Sequence, residues 1–466
     1  MSTGYQLHPA SYRDPAGFIF RKHGTIYRQV NQSGAADYQA LMDSGAYDSF
    51  TSKGWLVKHT GLNEKLTGTG EWYTTLRPEP VAITSYPWEW SFGMLKDSAL
   101  LTLKLATESL QYGLSLKDAT PFNTQWLNGR LVFIDTLSFE KYDEQLPWVA
   151  YRQFCETYLS PLLLMHYSKQ PLQGIMAAYP DGIPLAITAS LLPFRSRFRI
   201  PVALHIHLHA RMSRTQSPAR DPGKQRFSRT RMTNLLGNLQ SLVQNLRLEE
   251  RPTTWLDYYG EAGDRAGYLP AKKKLVEEWL SGLPDVKAIT DLGANEGEFS
   301  LIAAAGDRQV LCTDMDPFCI NRIYSRINAT PILNIQPMVL DLSNPSPAAG
   351  FSNEEYPSFI TRARADLVMA LALVHHLCLG RNIPPDRLAA FLATMGKRLL
   401  VEYVPADDPK SLQLLEHKKD SPANYNRESL LAAFLLYFDM EKQSPITGSG
   451  RELWLMVKKT ANGKPS

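Results

Sequence analysis

The sequence predicts an α/β Rossmann-like domain in the C-terminal half, preceded by an α+β domain. Three observations lead there. The apolar run Ala288, Ile289 and Leu292 is followed by Gly293 and Gly297, and Phe299, Leu301 and Ile302 then begin a helical pattern. This succession of strand, glycine turn and helix starts a βαβ unit. A second apolar run, Gln309–Thr313, ends in Asp314, 21 residues after Gly293. Further apolar runs at Met338–Leu342, Ala365–Leu377 and Arg398–Pro405 follow, with helical stretches between them. At 466 residues the chain is long enough for two or three domains, each with its own core.

The glycine turn points to a ligand. Gly293 permits a tight turn and, without a side chain, close approach to the backbone. An acid about 20 residues further on, at the end of the second strand, suits a ribose diol, so the ligand is expected to be a nucleoside. The dinucleotide fingerprint G-x-G-x-x-G fails, because position 295 is Asn and position 298 is Glu. Asp291-Leu-Gly-Ala-Asn-Glu-Gly297 instead resembles motif I of the class I S-adenosylmethionine (SAM)-dependent methyltransferases. Met338-Val-Leu-Asp-Leu342 is similar to that family's third-strand motif, Ala365–Leu377 to its fourth strand and exit, and Arg398–Pro405 to its fifth. The resemblance covers roughly residues 251–460. It implies a mostly parallel seven-stranded sheet over a methyltransferase domain, 251–466, with SAM as cofactor. It also implies cofactor-binding roles for Asp291, Gly293, Asn295, Gly297, Asp314 and Asp341, the last against adenine.

Methyl transfer from a sulfonium mainly requires alignment of the acceptor and exclusion of water. A hydroxyl or ammonium acceptor also needs a base. His375 and His376 stand at the exit of the fourth strand, where ligands bind in such sheets, and are the candidate catalytic residues. The Asn/Asp-Pro-Pro-Tyr signature of amino-directed nucleic-acid methyltransferases is absent, and so is a Pro-Cys pair. That argues against methylation of nucleic-acid bases and leaves RNA ribose open. The net charge of +4 favours no polyanionic partner. The expected acceptor is a small molecule or glycan-like compound.

In the N-terminal domain, residues 1–200, Phe18–Val30 reads as a hairpin turning at His23-Gly24. Tyr38–Tyr47 reads as a helix, Trp55–Lys58 and Val81–Thr84 as strands, and Leu95–Tyr112 as an amphipathic helix. Asp118 and Asn123 are five positions apart, and Asp135 follows after Leu131-Val-Phe-Ile. This spacing resembles a kinase catalytic loop with its metal-binding Asp, and the element order resembles a small kinase of the aminoglycoside-phosphotransferase kind. The resemblance implies a Mg-ATP site in which Asp118 orients the acceptor while Asn123 and Asp135 hold Mg²⁺. No glycine-rich loop sits in the hairpin, and the strand lysine has only Arg28 and Lys58 as candidates. An ordinary Asx turn at Asp118–Asn123 is the alternative. Ser85–Phe92, Leu116–Asn123, Phe133–Phe139 and Pro147–Phe154 together resemble a group of bacterial nodulation-related methyltransferases.

Residues 201–250 read as a basic connector and helix. His205, His207 and His209 would share one face if Leu204–His209 were a strand; three imidazoles there suit a metal or, without a fourth ligand, hydrogen bonds to backbone. Arg211–Met232 carries seven basic residues against one acid, as a solvated linker does. Met232–Leu248 is helical in pattern, and Trp255–Tyr259 offers aromatics for a lid or core. Asn426–Phe438 reads as a helix and Glu452–Val457 as an antiparallel edge strand. Cys155, Cys312, Cys319 and Cys378 have no metal spacing and read as reduced thiols of a cytosolic protein. No signal pattern or membrane-length apolar run occurs. The combined expectation is a SAM-dependent methyltransferase whose N-terminal half binds substrate or nucleotide. The alternatives are a bifunctional kinase–methyltransferase and a regulatory protein with a degenerate kinase-like half.

Overall fold

The computed structural model describes residues 4–214, 227–252, 267–330, 332–416, 418 and 425–459. Most of the basic connector, with Arg220, Lys224 and Arg226, and the aromatic segment Trp255–Tyr259 lie outside the described residues. The chain forms two compact units. The first comprises Met1–Glu250 with Ala348–Pro357, and the second Arg251–Pro347 with Ser358–Ser466.

The first unit opens with an antiparallel sheet. Its strands are β1 (Gln6–Leu7), β2 (Gly17–Lys22), β3 (Thr25–Asn31), β4 (His59–Leu62) and β5 (Trp72–Pro78), in spatial order β1-β2-β3-β5-β4. The β2–β3 hairpin turns at His23 and Gly24, whose φ values of 49° and 79° suit the right-handed twist of the strands. The helix expected over Tyr38–Tyr47 is two helices, Ala35–Asp43 and Ala46–Ser52, divided at Gly45 with φ 78°. The expected strands Trp55–Lys58 and Val81–Thr84 are not strands. Trp55–Val57 instead flanks Phe133: the Val57 N–H donates to the Phe133 carbonyl at 2.8 Å, and the Phe133 N–H to the Trp55 carbonyl at 2.8 Å. Leu56 and Val57 are buried and Leu56 forms only an isolated bridge to Phe133, whereas Val81–Thr84 is partly exposed and pairs with no strand.

The long helix spans Phe92–Ser109, and the Ser91 hydroxyl caps it by accepting from the Met94 N–H. Leu95, Ala99, Leu103 and Ala106 form its buried stripe. After it come β6 (Leu114–Leu116), β7 (Thr124–Leu127), β8 (Arg130–Phe133) and β9 (Phe139–Lys141). β7 pairs with β8, and β6 with β9, both antiparallel. The Leu204–His209 stretch is helical, a correction to the strand reading. A π turn at Ala203–Leu208 runs into the helix His209–Arg214, so the three imidazoles do not share a strand face. His205 bonds Tyr151 Oη at 2.8 Å and Asn238 Oδ1 at 2.9 Å, and His207 bonds Ser196 Oγ at 2.8 Å. His209 stacks on Tyr151.

The second unit carries, among the described residues, a seven-stranded sheet. Its strands are β10 (Ala288–Leu292), β11 (Gln309–Asp314), β12 (Ile335–Val339), β13 (Ala365–Ala370), β14 (Gly396–Tyr403), β15 (Phe438–Pro445) and β16 (Glu452–Lys458). The order is β12-β11-β10-β13-β14-β16-β15, parallel from β12 to β14 and antiparallel beyond. Strand order reverses between β10 and β13, which opens a crevice at the carboxyl ends of the parallel strands. β16 is an interior strand, not the edge. Its run Leu453–Met456 is fully buried because β14 and β15 flank it. The true edge is β15, whose polar Asp439, Glu441 and Lys442 concealed it from a hydrophobic reading. Among the described residues no helix is long and apolar enough to cross a membrane.

The segment Ala348–Pro357 lies between β12 and β13 in sequence yet folds into the first unit. Arg13 grips Glu355 with two parallel bonds, Nε to Oε1 at 2.9 Å and Nη2 to Oε2 at 3.0 Å. The Tyr356 ring stacks on Phe122 with centroids 5.0 Å apart and stands edge-on to Tyr86 and Trp88 at 5.4 and 5.7 Å. Truncating a half-buried aromatic in such a cluster removes its area burial and its ring contacts. Tyr356→Ala is therefore expected to cost about 2 kcal/mol of stability, read as a lower midpoint in urea unfolding.

Candidate functional site

The second unit contains a cavity of about 400 Å³ at the carboxyl ends of β10 to β13. That volume lies in the range of nucleoside and cofactor sites. Asp291, Gly293, Asn295, Asp314, Asp341 and His376 all line it. Leu340, Leu342, Leu371 and Leu373 provide apolar walls.

Each polar group arrives by a local device. β10 ends in Asp291 and Leu292, and Gly293 then turns with φ 70°. A Cβ at Gly293 would stand 3.0 Å from Leu373 Cδ1, so a side chain there would crowd the cavity wall. Asn295 follows, also left-handed at φ 52°, a conformation Asn tolerates better than most residues. Gly297 has φ 80°, and a Cβ there would lie 3.1 Å from Ile323. Gly297 does not line the cavity; its role is to pack the helix Glu298–Ala303 against Ile323. At the end of β13, Ala372 is held at φ 51°, a strained value for a non-glycine residue, and it faces the cavity.

The carboxylates are unequal. Asp314 accepts the Asn295 N–H and the Asp316 N–H, each at 2.8 Å. The Met315 N–H is a third donor to the carboxylate, which leaves about one of its four lone-pair sites for a further donor. Burial pushes its pKa up to about 6, against the pull of those N–H groups. Asp291 accepts the Ser300 hydroxyl at 2.6 Å, and burial pushes it up to about 6 as well, with Ser300 and Lys272 opposing. Asp341 is more open and accepts the Ser343 N–H and hydroxyl at 2.8 and 2.6 Å.

The two histidines part company. His376 lines the cavity, and burial, with Arg451 next, lowers its pKa to about 4, so it is neutral at physiological pH. His375 is fully buried, does not line the cavity, and has both ring nitrogens without hydrogen-bond partners. Its ring lies against His376, centroids 4.0 Å apart, where it supports the cavity-facing imidazole.

Sequence reasoning missed the charged layer behind the cavity. Lys272 lines the cavity and pairs with Glu402 at 2.6 Å. Glu402 also accepts the Tyr268 hydroxyl at 2.6 Å and Arg451 Nη1 at 3.2 Å. Arg451 in turn holds Asp408 with Nε and Nη2 at 2.8 and 3.0 Å. All five side chains are buried. Burial works to raise the Glu402 pKa, but Lys272 and Arg451 outweigh it and hold the group below its ordinary value. Two signals were available: a lysine on the buried stripe Tyr268, Lys272, Val276, and a glutamate inside the apolar strand Leu399-Leu-Val-Glu402.

In the first unit, Asp118, Asn123 and Asp135 do converge. Asp118 bonds Asn123 and Gln153, and Asn123 Nδ2 donates to Ser138 Oγ at 3.2 Å. Burial, and then the nearby charge of Asp135, push the Asp118 carboxyl up. Arg28 Nη1 lies 2.5 Å from Asp135 Oδ1, and Arg28 Nη2 lies 3.6 Å from Asp14 Oδ2. Asp135 Oδ1 also accepts the Leu137 N–H at 3.0 Å, and Oδ2 the Ser138 hydroxyl at 2.6 Å. Both Asp135 oxygens are thus engaged, and among the described residues no group of three or more His, Cys, Asp or Glu is placed to hold a metal ion. Arg28 is the cation the structure shows on Asp135, the residue to which the kinase resemblance assigns Mg²⁺.

No family model matches the chain. Among curated proteins it is similar to the nodulation protein NoeA of Rhizobium meliloti (strain 1021). The two are 29% identical over 458 residues, which span 95% of this chain and 94% of that protein. Among solved structures it is similar to monomeric WbdD, with 19% identity, 47% of this chain and 48% of that chain covered, and a TM-score of 0.32. It is also similar to the N-methyltransferase NodS of Bradyrhizobium japonicum WM9, with 12% identity, 41% and 97% covered, and a TM-score of 0.30. The chain thus spans about half the length of WbdD and nearly all of NoeA. The resemblance to a nodulation-related protein runs through both halves of the chain.

Removing one partner from a buried ion network strands the others. Glu402→Gln leaves Lys272 and Arg451 short of a counter-charge and is expected to cost about 3–5 kcal/mol in chemical denaturation. Replacing exposed Glu416 the same way is expected to change stability by less than about 0.5 kcal/mol.

Proposed function

We propose that the second unit is a SAM-dependent methyltransferase acting on a small-molecule or glycan-like acceptor. The observation that carries this reading is the single cavity wall bearing Gly293, Asn295, Asp314 and Asp341 at the carboxyl ends of three successive strands. SAM would supply a methyl group already activated as a sulfonium. Asp314 would accept a ribose hydroxyl through its carboxylate. Asp341, with Leu340 and Leu342 beside it, would hold the adenine. The leucine walls would exclude water, and the buried carboxylates of Asp291 and Asp314 would favour a cationic ligand. His376, neutral and facing the cavity, would receive a proton from a hydroxyl or ammonium acceptor, and His375 would hold its ring from behind.

The raised Asp314 pKa gives the reading a pH signature. In the unliganded protein a carboxyl titrating near 6 binds its proton more tightly folded than unfolded. Its ionisation therefore costs stability as pH rises from about 4 to about 6. A ligand that needs the carboxylate binds in the opposite sense, tighter as pH rises through that window. Calorimetry is expected to show SAM affinity roughly tenfold weaker near pH 5 than near pH 7.5. Asp314→Ala should weaken binding at least about tenfold at neutral pH, through loss of a bond to a charged acceptor. Unchanged affinity in Asp314→Ala removes the ribose role of that residue. Absence of SAM binding by the folded wild type removes the methyltransferase reading.

For the first unit, binding of substrate is the reading the donor set supports, with Arg28 as the resident cation of the Asp14, Asp118 and Asp135 cluster. A bifunctional kinase–methyltransferase, with Mg-ATP in this cleft, is the alternative. Mg-ATP is expected to leave the thermal midpoint of the full chain unmoved, and a clear upward shift would restore the kinase alternative. Asp135, held below its ordinary pKa by Arg28 and its hydrogen bonds against burial, contributes stability above about pH 4 that is lost on acidification. Arg28→Ala should thus cost about 3–5 kcal/mol at neutral pH, and the deficit should shrink as the pH falls.

A further inference from the structure

The helical stretch that carries the three histidines has two faces. It runs through Ile200–Val202, the π turn Ala203–Leu208 and His209–Arg214. Val202, His205, Ile206 and Ala210 are buried in the first unit. Ile200, Leu204, Leu208 and Met212 recur every fourth residue and are 73%, 47%, 46% and 65% exposed. A purely α-helical stripe at that spacing would wind round the helix, since four residues overshoot one turn. The wider π turn falls short of a full turn over four residues, so a mixture of the two keeps the stripe on one side. Just before it, Phe194 and Phe198 are 67% and 73% exposed, their rings 5.4 Å apart.

Soluble proteins seldom display so many large apolar side chains on contiguous elements without a use for them. The charges interleaved with them are of one sign. Arg195, Arg197, Arg199 and Arg211 are exposed, and no Asp or Glu occurs between Asp181 and Asp221. The segment that follows, 215–226, has only alanine and proline as apolar residues.

We propose that this face docks on an anionic phospholipid surface, with the apolar stripe at the headgroup–acyl boundary and the arginines on the lipid phosphates. Helices that lie in the interface combine these two features: an apolar face that enters the boundary, and cations that add attraction to anionic lipid. A protein partner of ordinary chemistry would be expected to meet arginines with acids at a dry interface. A lipid surface satisfies both the stripe and the one-signed charge at once. The contact is peripheral and needs no membrane-crossing helix.

The test is co-sedimentation of the full-length protein with vesicles of phosphatidylcholine alone and of phosphatidylcholine and phosphatidylglycerol at about 7:3. The expected result is partition onto the anionic vesicles at least about tenfold stronger than onto the neutral ones, weakened by salt. The double variant Phe198→Ser, Ile200→Ser should lose about tenfold or more of that partition. The triple variant Arg195→Ala, Arg197→Ala, Arg199→Ala should lose the preference for anionic lipid. All the exchanged side chains are exposed, so both variants should keep the wild-type thermal midpoint and SAM affinity. Three results would each overturn the proposal. One is no sedimentation with either vesicle, and another is partition that the apolar variant leaves unchanged. The third is a concentration-dependent dimer that the apolar variant disperses, which would make a second copy the occupant of the face.

Discussion

Glu402 is the constraint on which the second unit depends. A carboxylate with no exposure on β14, at the seam between the parallel and antiparallel strands, is tolerable only if its charge is matched. Lys272 and Arg451 match it, with the Tyr268 hydroxyl on the same oxygen as Arg451. The three partners come from places far apart in the chain. Tyr268 and Lys272 lie on the helix Tyr268–Ser281 before the first strand, and Arg451 immediately precedes the last. The network therefore closes the sheet: it ties the antiparallel return of β16 to β14 and to the helix that precedes β10. It also sets the electrostatics of the cavity, because Lys272 faces the same space as Asp291 and Asp314.

The first unit solves a similar problem with a different cation. Asp14, Asp118 and Asp135 gather around one point, and Arg28 on β3 answers them. The convergence of Asp118, Asn123 and Asp135 follows from the β7–β8 hairpin, which folds Asp135 back beside Asn123: the Ile134 N–H donates to the Asn123 carbonyl at 2.7 Å. Spacing conveyed that the three would meet. It did not convey what neutralises them, because Arg28 is nearly a hundred positions upstream and reaches the cluster only through the pairing of β3 in the N-terminal sheet.

The same division runs through the cavity. Asp291, Gly293, Asn295, Asp314 and Asp341 are readable because they sit at the ends of apolar strands, where the chain must leave the sheet and side chains must face the crevice. His375 and His376 are adjacent and equivalent in the sequence, yet one is sealed in the core and the other faces the cavity. Which is which depends on the strained turn at Ala372 and the π turn at His376–Gly380 that follows. Gly297 belongs to the motif by spacing and to the packing of Ile323 by geometry.

What the sequence by itself determined was everything written in local periodicity. That covers the five parallel strands, the glycine turn, the acids at strand ends, the long helix Phe92–Ser109 and the hairpin at His23-Gly24. Alternation and spacing are properties of neighbouring residues, and burial of an apolar run leaves its mark wherever the run sits. Only the tertiary structure decided the edge position of the polar strand β15, the removal of Ala348–Pro357 into the other unit, the helical state of the histidine stretch and the pairing of Lys272 and Arg451 with Glu402. Each of these is settled by groups distant in sequence, whose free energy of interaction exists only once the chain has brought them together and taken their charges or rings out of water.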